Sequence, residues 1–192
     1  MTKALILAEA LPSLLRLSGS TMVVAADGGV LDDDRALRSF AQDVAFLRRI
    51  GVRSVVVQDL TRGADLPHGA DLPHGATRHG LVELLSSYGP PAVGLTGADA
   101  GLLRILLDDG RIPVVSGSAG GAYAGTDHAS LPRAAAMLAA ALRADSLVLL
   151  TDTGGGEPPP GPRTATIVDG RAPHALLTHF CAGDEPGPGS AP

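Results

Sequence analysis

Thr21-Met22-Val23-Val24-Ala25-Ala26-Asp27-Gly28-Gly29 decides the fold. A short apolar run with β-branched members ends at an aspartate and two glycines, which reads as a buried strand entering a tight connection. Asp32-Asp33-Asp34 comes next and offers N-cap acceptors and negative charge at the start of a helix. Leu37, Phe40, Ala41, Val44, Leu47 and Ile50 then recur at intervals of three and four, the helical period. Gly51 stops that helix and Arg53–Val57 is the next strand.

The same alternation continues outward. Lys3–Leu17 reads as a helix interrupted near Pro12, and Ser18-Gly19-Ser20 breaks it. Downstream, Leu81–Tyr88, Leu102–Asp109 and Ala134–Leu142 read as helices. Ala92–Leu95, Ile112–Ser116, Ser146–Leu150, Ala165–Val168 and Ala175–Phe180 read as strands. Short apolar strands between helices predict an α/β fold, helices flanking a mostly parallel central sheet. Any ligand crevice is then expected outside the strand C-termini. Residues 1–182 are expected to form one domain. Two stretches stand apart: the tandem hexamer Ala64–Gly69 and Ala70–Gly75, a duplicated loop, and the Gly/Pro-rich loop Gly154–Pro162. The tail 183–192 is rich in Gly and Pro and is expected to be disordered.

The chain has 192 residues, 45% hydrophobic, enough for one domain with a real core. A net charge of −5 without a long basic run argues against nucleic acid. No stretch approaches the roughly 18–20 apolar residues that span a bilayer, so no membrane role is expected. The first residues do not make a signal peptide, and a single cysteine, Cys181, excludes a disulfide framework. The cytoplasm is the expected compartment. Lys3 is the only lysine and asparagine is absent. A coding bias toward Arg and Ala accounts for the skew, but it does not restore the missing side chains. A catalytic lysine in the body of the chain, or an asparagine ligand, is excluded.

Three loops stand where a strand ends and could carry chemistry. Gly28 and Gly29 could let backbone N–H groups approach a phosphate, though Asp27 and the acidic run Asp32–Asp34 would repel one. Thr96-Gly97-Ala98-Asp99 and Thr151-Asp152-Thr153-Gly154 lie at the expected crevice, although the same residue types also make ordinary turns. His68 and His74, with Asp65 and Asp71, have metal-ligand atom types but no recognised ligand spacing, so no metal site is expected. His179 and Cys181 would share a face of a strand, with no third group to orient them.

The combination is more specific than its parts. Phe40–Val57, Ala10-Leu11-Pro12 before it, and Tyr88–Ala100 after it resemble acetylglutamate kinase of the amino acid kinase family, in the same order. So do Leu106–Ser116, Ala134–Asp152 and Val168-Asp169-Gly170-Arg171-Ala172-Pro173-His174-Ala175. The resemblance implies a three-layer α/β/α sandwich, here truncated. It also implies ATP-dependent phosphorylation of N-acetyl-L-glutamate, an arginine-biosynthesis step, using magnesium.

Carried over residue by residue, the resemblance places nucleotide or phosphate binding at Gly28, Gly29, Thr151 and Asp152, and substrate binding at Arg78, His79, Thr96, Gly97 and His128. The catalytic aspartate falls near Asp127 or on Pro132. Much of the family pattern is missing. The lysine two residues before the first Gly-Gly is replaced by Ala26, and the glycine run after the second strand by Gln58-Asp59-Leu60. Both asparagines around Thr126-Asp127-His128-Ala129 are gone. The late nucleotide-contacting lysine falls in a segment missing between Thr153 and Thr164, the lid region is replaced by the hexamer repeat, and a β-hairpin region after Asp99 is lost.

The expectation is a family member with impaired catalysis, a pseudoenzyme that uses ATP and magnesium only if active. The alternative is a small-molecule enzyme with a remodelled site, a kinase using Arg78, Asp127 and Asp152. A small-molecule substrate or a nucleotide is the expected ligand. A homo-oligomer or pairing with an active paralogue is the expected assembly.

Overall fold

The computed structural model describes residues 11–58, 78–96, 99–116, 131–159 and 164–181. In chain order the elements are β1 (Thr21–Ala26), α1 (Gly28–Leu31), α2 (Asp34–Arg49), β2 (Arg53–Gln58), α3 (Arg78–Ser87) and β3 (Ala92–Thr96). These are followed by α4 (Ala100–Asp108), β4 (Ile112–Ser116), α5 (Leu131–Leu142), β5 (Ser146–Thr151), β6 (Thr164–Asp169) and α6 (Ala175–Cys181). Residues 11–16 are also helical.

The six strands form one sheet in the order β3-β4-β2-β1-β5-β6, and every neighbouring pair is parallel. Val23 sits in register with Val55 on one side and Leu147 on the other. The period of two sorts the apolar side chains into two cores. Met22, Val24 and Val56 pack with α2, α3 and α6 on one face. Val23, Val55 and Leu149 pack with α4 and α5 on the other. Both faces are covered, which is why the strands read as continuous apolar runs. The result is a three-layer α/β/α sandwich.

Helix α2 explains how local signals set an element. Asp33 Oδ1 accepts the N–H groups of Arg35 and Ala36, each at 2.8 Å. Arg48 and Arg49 close the last turn, where cations favour the helix dipole. Gly51 adopts φ +95°, and a Cβ there would lie 2.6 Å from Ser18 Oγ. Both terminal arginines also reach other helices. Arg48 Nε donates to Gly110 O at 3.0 Å and Arg49 donates to Tyr88 O, so α2 serves the open carbonyl ends after α4 and α3.

One element differs from the sequence reading. Ala175–Phe180, expected as a strand, lies in helix α6. A six-residue apolar run does not distinguish strand from helix by itself. Here the helix packs Ala175 and Leu176 into the core beside α2, and the Asp43 carboxylate on α2 accepts the Leu177 N–H of its first turn at 3.3 Å. His179 and Cys181 therefore do not share a strand face; on a helix they diverge by roughly 200°. Two further readings shift in detail. Gly28 and Gly29 open the short helix α1 rather than a bare turn, and α4 begins at Ala100 with Asp99 as its N-cap. The hexamer repeat and the tail lie outside the described residues.

Candidate functional site

The chain leaves β1 toward β2 and later returns to β5 on the opposite side of β1. The β1/β5 boundary is thus the topological switch point, where helix connections diverge and leave a mouth at the strand C-termini. Strand β1 ends at Ala26, fully buried, and the next residue is Asp27.

Asp27 fastens this mouth. Its N–H donates to Leu150 O at 3.1 Å, its Oδ1 accepts Val30 N–H at 3.0 Å as the N-cap of α1, and its Oδ2 accepts Asp152 N–H at 3.2 Å. Gly29 provides the space for Asp152: a Cβ at Gly29 would lie 2.8 Å from Asp152 Oδ2 and 2.9 Å from its Cβ. Arg171 Nη2 pairs with Asp152 Oδ2 at 3.3 Å, while the Arg171 backbone N–H donates to Asp169 Oδ1 at 3.0 Å. Thr151 Oγ1 accepts Gly154 N–H at 3.0 Å, and Thr151 O accepts Gly170 N–H at 2.9 Å. Gly170 packs against Val30, whose Cγ2 would be 2.5 Å from an added Cβ.

Of the residues singled out from sequence, the fold brings Gly28, Gly29, Thr151 and Asp152 together. Thr96 ends β3, three strands from β1 and on the order of 14 Å away, so it stands apart from this cluster. Arg78 and His79 open α3, but their side chains lie outside the described residues, as do Gly97, Asp127 and His128. His68, His74, Asp65 and Asp71 lie outside them too. Sequence reasoning missed Asp169 and Arg171 as members of the mouth. The strand-terminal Asp169-Gly170-Arg171 was the available signal, since an aspartate and glycine after β6 repeat the pattern after β1.

The mouth is rich in acceptors. Asp27, Asp152 and Asp169 each bring a carboxylate, and Arg171 is tied to Asp152. Helix α1 has only four residues, and the Val30 N–H is already taken by Asp27. Among the described residues no group of three or more His, Cys, Asp or Glu side chains is arranged to hold a metal ion. Among the described residues the charged side chains gathered here are three carboxylates, Asp27, Asp152 and Asp169, and one guanidinium, Arg171; carboxylates suit a magnesium ion, whereas a phosphate needs donors. Among the described residues no helix is long and apolar enough to cross a membrane.

A second polar cluster lies away from the mouth. Asp43, on α2, is fully buried, and its Oδ1 lies 2.6 Å from His174 Nδ1. Burial pushes the Asp43 carboxyl above its usual 3.8, opposed by the His174 hydrogen bond. Burial lowers the pKa of His179, and burial together with Asp43 raises that of the Cys181 thiol.

An all-parallel three-layer sandwich with a topological switch point between β1 and β5 is a doubly wound α/β fold. The model of the amino acid kinase family matches residues 75–155. An acetylglutamate kinase from Streptomyces griseus is 35% identical over 81% of this chain and 67% of its own length. Another, from Nocardioides, is 29% identical over 91% of this chain and 86% of its own. The chain thus spans about two thirds of the Streptomyces relative. The N-acetylglutamate synthase of Neisseria gonorrhoeae, solved with coenzyme A and N-acetyl-glutamate, superposes with a TM-score of 0.73 at 19% identity. That likeness covers 94% of this chain and 61% of the synthase, and it concerns the fold. The chain belongs to the amino acid kinase family, as an acetylglutamate-kinase-like member.

Proposed function

We propose that this chain is a pseudoenzyme of the acetylglutamate kinase type: it keeps the sandwich of a kinase that phosphorylates N-acetyl-L-glutamate with ATP and lacks that activity itself. One observation carries the reading. The β1/β5 mouth holds the carboxylates of Asp27 and Asp152, and buried Ala26 stands where the resemblance implies a phosphate-binding lysine.

Phosphoryl transfer depends on positioning and charge stabilisation, with little covalent work for the protein. Losing one preorganised charge or donor costs about 3–4 kcal/mol, or about 10²–10³ in rate. An arginine is no simple replacement, because its planar fork differs from a compact ammonium, and Arg171 already pairs with Asp152. The chain acts in this reading as a binding partner in the cytoplasm, either as a homo-oligomer or beside an active paralogue. Residues 1–182 form its single domain.

The test is ADP release from purified chain supplied with ATP, magnesium and N-acetyl-L-glutamate. The expected result is no release above a protein-free control. Turnover near the ordinary enzyme median of about 10 s⁻¹ would overturn the reading and favour a remodelled kinase using Arg78, Asp127 and Asp152.

A further inference from the structure

Between β6 and α6 the turn Gly170-Arg171-Ala172-Pro173-His174 is fastened at both ends. At the first end, Gly170 N–H donates to Thr151 O at 2.9 Å, and Gly170 sits flush against Val30 and Leu150. At the second end, His174 Nδ1 lies 2.6 Å from Asp43 Oδ1. Asp43 Oδ2 accepts Leu177 N–H, so one carboxylate binds both the turn and the first turn of α6. The Asp43 side chain is 1% exposed and that of His174 is 51% exposed. Arg171, between the two anchors, places its guanidinium on Asp152 at the mouth.

The second anchor is held against a backbone preference. His174 has φ +54°, in the left-handed region that a residue with a Cβ adopts at a cost. A histidine persists in such a conformation when its surroundings over-determine it. Here the surroundings are one buried carboxylate whose two oxygens are both engaged. A glycine at position 174 would satisfy the backbone better, but it could not reach Asp43. The ring, rather than the turn conformation, is what the position requires.

We infer that Asp43 and His174 are a positioning pair that holds the Gly170–His174 turn so that Arg171 stays paired with Asp152 at the β1/β5 mouth. The inference rests on reading that mouth as the inherited site, and it deepens that reading. The charge presented at the mouth is set from a distance. With the clasp closed, Asp152 is neutralised by Arg171. With the clasp open, the turn keeps its bonds at Gly170 and at the Arg171 N–H, which donates to Asp169 Oδ1, but loses its hold on the far end, and the Arg171 side chain spends less time on Asp152.

The test uses NMR of the whole chain labelled with ¹⁵N and ¹³C, following hydrogen exchange at the Arg171 guanidinium N–H groups and the ¹³C signal of the Asp152 side-chain carboxyl. His174→Gly relaxes the left-handed backbone and deletes the ring. In it, exchange of the Arg171 guanidinium N–H groups is expected to quicken about fivefold and the Asp152 ¹³C signal to move toward that of Arg171→Gln. His174→Asn, whose side-chain amide nitrogen stands near the place of the ring Nδ1 and which tolerates the left-handed backbone, is expected to recover most of the wild-type values. Gly170 N–H is the internal control and stays protected in both variants. The inference is overturned if Arg171 and Asp152 are unchanged in His174→Gly, or if His174→Asn is no closer to wild type than His174→Gly. Should His174→Gly not fold, Asp43→Ala is read in the same way, with unchanged Arg171 signals again overturning the pair. None of these readouts uses nucleotide turnover, so an active chain would defeat the pseudoenzyme reading and leave this test intact.

Discussion

Asp27 Oδ2 accepts the backbone N–H of Asp152 at 3.2 Å, joining the ends of two neighbouring strands across 125 residues of chain. The same side chain caps α1 through Val30 N–H. One carboxylate therefore closes the connection after β1 and ties it to the loop after β5. The buried end of β1 thus carries an acidic residue whose two oxygens are both engaged by backbone N–H groups.

Asp27→Ala removes both bonds. The expected cost is about 1–2 kcal/mol in urea unfolding, with Asp27→Asn recovering part of it by keeping a side-chain oxygen for the cap. An alanine variant as stable as the wild type would show that the cap and the cross-strand bond are energetically idle.

Gly29→Ala places a Cβ 2.8 Å from Asp152 Oδ2. Asp152 has to move, and the expected loss is about 1–3 kcal/mol. Asp152→Gly should make Gly29→Ala nearly neutral, because the obstruction is gone. Strictly additive effects in the double-mutant cycle would contradict the contact.

Arg48→Ala should destabilise by about 1–2 kcal/mol through loss of the charge-assisted bond to the Gly110 carbonyl, 3.0 Å away, and of packing by the side-chain stem. Arg48→Lys recovers little, because Nε of the guanidinium makes this bond. Thermal unfolding of the three proteins side by side decides it.

Asp43 makes a pH prediction with a definite sign. Its folded pKa is raised above 3.8 by burial, with His174 opposing. Folding therefore binds a proton at pH values just above the ordinary carboxylate range. The stability from this group is fully present below about pH 4 and is lost as pH rises through the raised folded value. Asp43→Asn removes the titration. The unfolding free energy of wild type minus variant should fall with rising pH from about 4 upward, then level off. A difference that rises over that window would reverse the assignment of cause.

Much of the architecture was legible from local pattern. The period of three and four from Leu37 to Ile50 and the acidic cap at Asp33 set α2 without reference to the rest of the chain. The apolar runs at Thr21–Ala26 and Ser146–Leu150 announced buried strands. The mouth was half legible: Gly28, Gly29, Thr151 and Asp152 could be placed at strand ends, because strand ends are where α/β sheets leave room. Asp169 and Arg171 left a signal in the aspartate and glycine at the end of β6, but the Asp43–His174 clasp did not, because its partners lie 131 residues apart and nothing near either one signals the other.

The strand order decided the remainder. The sequence by itself determined periodicity, caps and the loss of lysine, since these depend on neighbours within one or two turns of chain. Only the tertiary structure decided that β5 lies beside β1, that Asp152 fills the space over Gly29, and that Ala175–Phe180 coils into a helix. Each of these turns on groups more than a hundred residues apart, brought within hydrogen-bond distance by the burial of two apolar sheet faces. Short-range interactions are too weak and too ambiguous to choose among such pairings.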